Sequence, residues 1–233
     1  MTPDRYVVRA GPPLSGTVQV SGMTKNAGLK QMAAALLAPG ETILNNLTPV
    51  DDLAVMIELL EAIGVEITSN GESSLCLRVP DQLTPKAPYE LVSRMRASIN
   101  VLGPLLARTG QAQVALPGGD DIGSRKLNLH FYGLEALGVD LRVEHGLIEA
   151  SCRELRGARV VLEYPSVGAT ETIMTTAVLA KGESVIENAA REPEICDLIK
   201  FLNLLGAKIS GAGSSTLVIE GVETLAPTEH TII

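Results

Sequence analysis

The sequence predicts an α/β fold with pseudo-threefold internal symmetry, its alanine-rich helices packed together inside and its short sheets outside. Three observations predict it. An amphipathic helix recurs three times with the same offsets, an inner helix–glycine–strand pattern precedes each copy, and the apolar content is almost entirely aliphatic. Of the 233 residues 45% are hydrophobic but only 3% aromatic, with no Trp, so Leu, Ile, Val and Ala must form the core.

The recurring helix is defined by apolar positions at i, i+3, i+4, i+7 and i+10, with glycine at i+11. The copies are Leu53, Met56, Ile57, Leu60, Ile63 and Gly64; Leu127, His130, Phe131, Leu134, Leu137 and Gly138; and Ile195, Leu198, Ile199, Leu202, Leu205 and Gly206. This spacing buries one stripe of each helix, and the glycine suits the left-handed residue that ends a helix. Two β-like runs with a Gly-containing turn follow each copy, as in Val65-Glu66-Ile67, Asn70-Gly71, Leu75-Cys76-Leu77, and read as hairpins. The preceding pattern centres on Gly40, Gly110 and Gly182, which are 70 and 72 residues apart. The unit is therefore strand, helix, strand, helix, hairpin, repeated three times. Ala and Gly on the first helix of each unit allow those helices to approach closely.

Net charge is −8, which argues against binding nucleic acid or an anionic membrane through the overall field but leaves room for a local basic site. No apolar run reaches the length of a membrane-spanning helix, and the N-terminus lacks the pattern of a signal peptide. Cys76, Cys152 and Cys196 are odd in number and widely spaced, so neither a disulfide framework nor a zinc site is expected, and a reducing cytoplasm is the natural compartment. His145 and His230 have no partners at metal-ligand spacing, and no metal or cofactor is expected.

Counting back fourteen residues from the repeat glycines gives Asn26, Arg96 and Gly168, which should lie at the starts of the three inner helices. A threefold arrangement brings those starts to one end, where exposed N–H groups and helix dipoles favour an anion. Lys25 and Arg96 place formal positive charge at two of them. A cation there is unfavourable without an anionic partner, so the pattern points to an anion site rather than to solvated helix ends. The run Leu116-Pro117-Gly118-Gly119-Asp120-Asp121-Ile122-Gly123-Ser124-Arg125 is glycine-rich only in the second unit. Its residues fit either a functional loop or a surface loop with a helix cap at Asp121 or Ser124. His130, on an apolar stripe, reads as a core or rim histidine.

These residues carry a family resemblance over essentially the whole chain. Ser21-Gly22…Lys25-Asn26-Ala27, Met95-Arg96-Ala97-Ser98, Leu116-Pro117-Gly118-Gly119…Ile122-Gly123-Ser124-Arg125, Ser166-Val167-Gly168-Ala169-Thr170 and Glu187-Asn188-Ala189-Ala190-Arg191-Glu192-Pro193-Glu194 resemble the enolpyruvyl transferases, on the branch that acts on UDP-N-acetylglucosamine. The resemblance implies an inside-out α/β barrel of three βαβαββ-like units. It also implies transfer of the enolpyruvyl group from phosphoenolpyruvate to the 3′-hydroxyl of UDP-N-acetylglucosamine with release of phosphate, at the start of peptidoglycan synthesis. Lys25 and Arg96 would hold phosphoenolpyruvate, and Asn26 the sugar or the reacting centre. Arg125, Lys126, Leu127, Asn128 and Leu129, with Tyr164, Pro165, Ser166, Val167 and Gly168, would line the nucleotide-sugar site.

The chain departs from the family pattern at four points. Asp120 stands where the family usually has a cysteine, and would be the proton donor or would order the loop. Met23-Thr24 lengthens the turn before Lys25. Tyr164-Pro165 and Lys126-Leu127-Asn128 differ near the nucleotide, which leaves another nucleotide or sugar nucleotide open as the substrate. The fourth departure is length. The resemblance assigns residues 1–21 to a strand of a second, C-terminal domain absent from this chain, and residues 22–233 to the repeat domain, with units near 22–80, 81–151 and 152–222. The chain alone is then expected to be catalytically poor, and a non-catalytic anion-binding role is the competing expectation.

Overall fold

The computed structural model describes residues 5–18, 22–118 and 126–233. The first unit holds α1 (Lys25–Ala35), β1 (Gly40–Asn45), α2 (Asp51–Ile63), β2 (Glu66–Ser69) and β3 (Leu75–Val79). The second holds α3 (Tyr89–Val92), a 3-10 segment (Arg96–Val101), α4 (Leu102–Thr109), β4 (Gln111–Ala115), α5 (Asn128–Ala136), β5 (Asp140–Glu144) and β6 (Leu147–Ser151). The third holds β7 (Arg159–Val161), α6 (Val167–Ala177), β8 (Glu183–Glu187), α7 (Pro193–Leu204), β9 (Lys208–Ser210) and β10 (Thr216–Glu220), and β11 (Glu229–Thr231) follows.

The elements form where local chemistry supports them. Asp51 and Asp52 sit in the first turn of α2 and Glu194 in that of α7, where carboxylates oppose the positive end of the helix. Gly64, Gly138 and Gly206, after the three outer helices, have φ of 113°, 90° and 104°, conformations that a side chain would strain. The second inner helix differs from the other two by starting as a 3-10 segment. Pro104 has no N–H to give to the carbonyl four residues back, so the regular α ladder begins only at Leu102.

Three sheets flank these helices, in the strand orders β11-β1-β3-β2, β4-β6-β5 and β7-β8-β10-β9. Every hairpin is antiparallel, whereas β7 joins β8 and β11 joins β1 in parallel. The corresponding edge of the middle sheet is a single parallel bridge between Lys86 and Gln113. Lys86 lies between Pro85 and Pro88, which cannot donate to a ladder. The leading strand of the first unit is thus supplied by residues 229–231, and the threefold pattern closes through the far end of the chain. Residues 5–18 form no strand and are exposed throughout, with Tyr6, Val8, Leu14 and Val18 facing solvent.

Two asparagines mark the same turn in the first and third units. Asn46 and Asn188 have φ of 67° and 56°. Asn46 Nδ2 donates to Ile232 O at 2.8 Å, and Asn188 Nδ2 to Leu162 O at 3.0 Å. Each amide ties the end of an inner strand to its parallel neighbour. The equivalent residue in the second unit is Leu116, which has no side-chain donor.

The innermost layer is α1, α4 and α6, whose middle residues are fully buried. Close approach depends on Gly103: a Cβ there would stand 2.9 Å from the backbone oxygen of Thr172 on α6. Sheets therefore lie outside and small-residue helices inside, as the repeat pattern predicts.

Candidate functional site

The starts of the three inner helices open into one cavity of about 840 Å³. Lys25 and Asn26 enter it from α1, Met95 and Arg96 from the start of the 3-10 segment, and Ser166, Val167 and Gly168 from α6. Among the described residues five cationic side chains line it (Lys25, Lys30, Arg94, Arg96 and Lys126) against two carboxylates, Asp52 and Glu171. The site is thus locally positive in a chain of net charge −8, and it lies at the positive end of helix dipoles.

Several of these charges have partners. Lys25 Nζ lies 2.6 Å from Asp52 Oδ2, with both side chains part-exposed, and Arg94 Nη1 lies 2.6 Å from Glu58 Oε2. Exposed pairs of this kind hold loosely, which leaves Lys25 available to a stronger anion. At α6, Ser166 Oγ accepts from the Ala169 N–H at 3.3 Å, the bond of an N-cap.

His130 faces the same cavity. Its Nδ1 and the Thr172 Oγ1 share a hydrogen bond of 2.9 Å. Burial, with the nearby Arg96 charge adding to it, pushes the imidazole down to about 4, so it is neutral near pH 7. Its ring edge packs on Gly168, where a Cβ would come within 2.9 Å of Cε1. A glycine at this helix start therefore admits the ring.

A turn deeper, Lys30 on α1 meets Glu171 on α6. Nζ lies 2.6 Å from Oε1, and the side chains are 12% and 3% exposed. Glu171 Oε2 has no hydrogen-bond partner among the described residues. Burial pushes this carboxyl up to about 7; Lys30 opposes the shift, and Glu194 and Glu192 add to it.

Of the residues expected at the site, the cavity gathers Lys25, Asn26, Arg96, Lys126, Asn128, Tyr164, Ser166, Val167 and Gly168. Leu127 and Leu129 do not line it. Leu127 stands at the N-cap of α5 and Leu129 in its first turn, and both side chains are buried in the core, because successive residues on a helix point in different directions. Pro165 is exposed and does not line it either. Asp120 and Arg125 lie outside the described residues. Sequence reasoning missed Lys30, Asp52, Asn100 and Glu171. Two of them carried a signal: Lys30 and Asn100 fall four residues after Asn26 and Arg96, so a polar residue recurs one turn into each inner helix. Among the described residues no group of three or more His, Cys, Asp or Glu could hold a metal, and no helix is long and apolar enough to cross a membrane.

Comparison with known proteins gives a consistent result. The family model of EPSP synthase (3-phosphoshikimate 1-carboxyvinyltransferase) matches residues 8–233. The chain is 49% identical over 230 residues to a UDP-N-acetylglucosamine 1-carboxyvinyltransferase of Corynebacterium jeikeium, covering 99% of this chain and 54% of that protein. It is 50% identical over 235 residues to a protein of the same name from Nocardia farcinica, covering 99% and 55%. The chain spans about half the length of the curated relatives it matches. Among solved structures, the enolpyruvyl transferase NikO from Streptomyces tendae superposes with a TM-score of 0.82 at 24% identity, covering 96% of this chain and 53% of that one. An EPSP synthase from Acinetobacter baumannii gives 0.69 at 16% identity, covering 93% and 49%. These two likenesses establish the fold.

Proposed function

The chain belongs to the EPSP synthase family, and from that premise we propose that it forms one wall of an active site that moves an enolpyruvyl group from phosphoenolpyruvate to the 3′-hydroxyl of UDP-N-acetylglucosamine. The observation that carries the reading is the convergence of three inner helix starts, with Lys25 and Arg96, on one positive cavity. The names of the relatives near 50% identity support this pair of substrates. In finer architecture, the three sheets around buried helices are read as an inside-out barrel.

In the proposed reaction the 3′-hydroxyl gives its proton to a general base as its oxygen bonds to C2 of phosphoenolpyruvate, while C3 takes a proton from the acid. The C2–O bond to phosphate then breaks as C3 returns a proton, which restores the double bond on the transferred group. Phosphate and carboxylate bring negative charge, and it shifts toward the phosphate as that group leaves. Lys25, Arg96 and the N–H groups at the start of α6 are read as the groups that stabilise such charge. Asn26, Lys126, Asn128, Tyr164, Ser166, Val167 and Gly168 are read as the wall that orients the nucleotide sugar, and Arg125 joins them on the strength of the motif. Asp120 is read as the proton donor to C3. An ordinary aspartate near 3.9 is too acidic for that work, so the role requires a neighbouring charge, such as Asp121, or enclosure to raise it. The broader reading places the chain in peptidoglycan synthesis in the cytoplasm.

Phosphate release from phosphoenolpyruvate, measured on the full product of this reading frame, tests the reaction. Release that depends on UDP-N-acetylglucosamine is expected. No release with both substrates present would overturn the reading.

A further inference from the structure

Lys30 and Glu171 lie below the ring of helix starts and take no part in the roles above. They form a buried pair, Nζ to Oε1 at 2.6 Å, in the lining of the cavity. Among the described residues Glu171 Oε2 has no hydrogen-bond partner, a costly state for a buried carboxylate unless a proton or a ligand donor satisfies it. Its surroundings favour a proton. Glu192 and Glu194, at the start of α7, repel its negative charge, and among the described residues Lys30 is the cation that pairs with it. On the elements packed against α6, His130 of α5 is neutral and bonded to Thr172, and Arg96, at the start of the 3-10 segment, acts on that ring through its charge. The acids Glu187 of β8 and Glu220 of β10 are paired with Arg159 and Lys208 on the outer sheet, and Glu183 is exposed there.

We propose that Glu171 is a proton-linked floor of the anion site: binding of a phosphate-like dianion is accompanied by uptake of a proton on Glu171, which releases the Lys30 ammonium to face the ligand. The inference rests on the reading of this cavity as an anion site. An incoming dianion repels the carboxylate and attracts the ammonium, so it favours the state in which the carboxyl is neutral and Lys30 is unpaired. The neutral carboxyl supplies an O–H donor, and an oxygen of the bound anion is its acceptor in this proposal. The free carboxyl already sits at about 7, so the linkage falls in the neutral range. Acidification through that range should strengthen anion binding, because the protonated form is the competent one.

Sulfate is the appropriate probe, since it carries no titrating proton near neutrality. Calorimetric titration of sulfate at about pH 7.5 in two buffers of different ionisation enthalpy reads proton uptake directly. About three-quarters of a proton per sulfate is expected, with affinity rising about thirtyfold from pH 8.5 to 6. Glu171→Gln keeps the shape of the side chain and should abolish both the uptake and the pH dependence. Lys30→Met should weaken sulfate binding at pH 6 by about tenfold. Sulfate binding without proton uptake, or uptake that persists in Glu171→Gln, would overturn the linkage and leave the anion site standing. Failure of sulfate to bind at all would overturn both the site and the inference.

Discussion

His230 Nε2 lies 3.1 Å from Asp197 Oδ1, and both side chains are buried. This contact joins β11, which closes the first unit's sheet, to α7 of the third unit. Gln31 on α1 also donates to Asp197, as does the Ile233 N–H at 3.3 Å. One carboxylate therefore gathers the inner helix of one unit, the outer helix of another and the strand that seals the repeat. Burial raises the Asp197 carboxyl, but the hydrogen bonds from His230, Gln31 and Ile233 outweigh it and leave the group below its ordinary value.

The first prediction concerns this clasp. Asp197→Ala should cost about 3–5 kcal/mol at neutral pH, because it strands buried donors. Because the folded-state value is depressed, the stabilisation from Asp197 is present above the unfolded value near 3.8 and is lost as the pH falls through the lower folded value. Urea unfolding at pH 7 and at pH 3 checks it: the gap between wild type and variant should narrow at the acid end.

Gly103 sets the spacing of the inner helices. Gly103→Ala places a methyl group 2.9 Å from the Thr172 backbone oxygen, and also 2.6 Å from Thr175 Oγ1. Overpacking of this kind typically costs about 1–3 kcal/mol. Thermal unfolding should show a lower midpoint, even though alanine is the better helix former.

Glu171 should leave a signature on stability of the opposite sign to Asp197. Its folded value of about 7 is raised from 4.5, so the native state binds more protons than the unfolded chain between those values. Wild-type stability should therefore fall relative to Glu171→Gln as pH rises from 4.5 to 7, by about 3 kcal/mol in all. Denaturation midpoints of the two proteins at several pH values read this directly, and parallel curves would contradict it.

The aspartate at position 120 yields a chemical prediction. None of Cys76, Cys152 and Cys196 lines the cavity, and burial pushes the Cys152 thiol up, away from the reactive thiolate. A thiol-alkylating epoxide should leave residues 116–125 unmodified and phosphate release intact. Mass spectrometry of the treated protein checks it, and stoichiometric labelling of that segment would contradict it.

The sequence made the repeat legible because its signals are local: an apolar stripe is read within one helix, and a glycine within one turn. The same counting locates Asn26, Arg96 and Gly168, and the structure sets all three on one cavity. The leading strand of the first unit was not legible. Residues 229–231 are too few for a periodic signal, and their partner is β1, almost two hundred residues earlier. Nor was the pairing of Lys30 with Glu171, since a charge on an inner helix does not reveal which neighbouring helix it faces. The family resemblance implies that Leu127 and Leu129 belong to the nucleotide-sugar site along with Lys126 and Asn128, whereas their side chains are buried in the core. The 3-10 start of the second inner helix goes with Pro104, which has no N–H to give to the α ladder.

The central claim is that the converging helix starts, with Arg96, bind phosphoenolpyruvate. Its most direct test is calorimetric titration of phosphoenolpyruvate into the full product of the reading frame and into its Arg96→Ala variant, with folding of both checked by circular dichroism. The account predicts saturable binding that weakens by at least about tenfold, or 1.4 kcal/mol, in the variant. Equal affinity in the two proteins would contradict it.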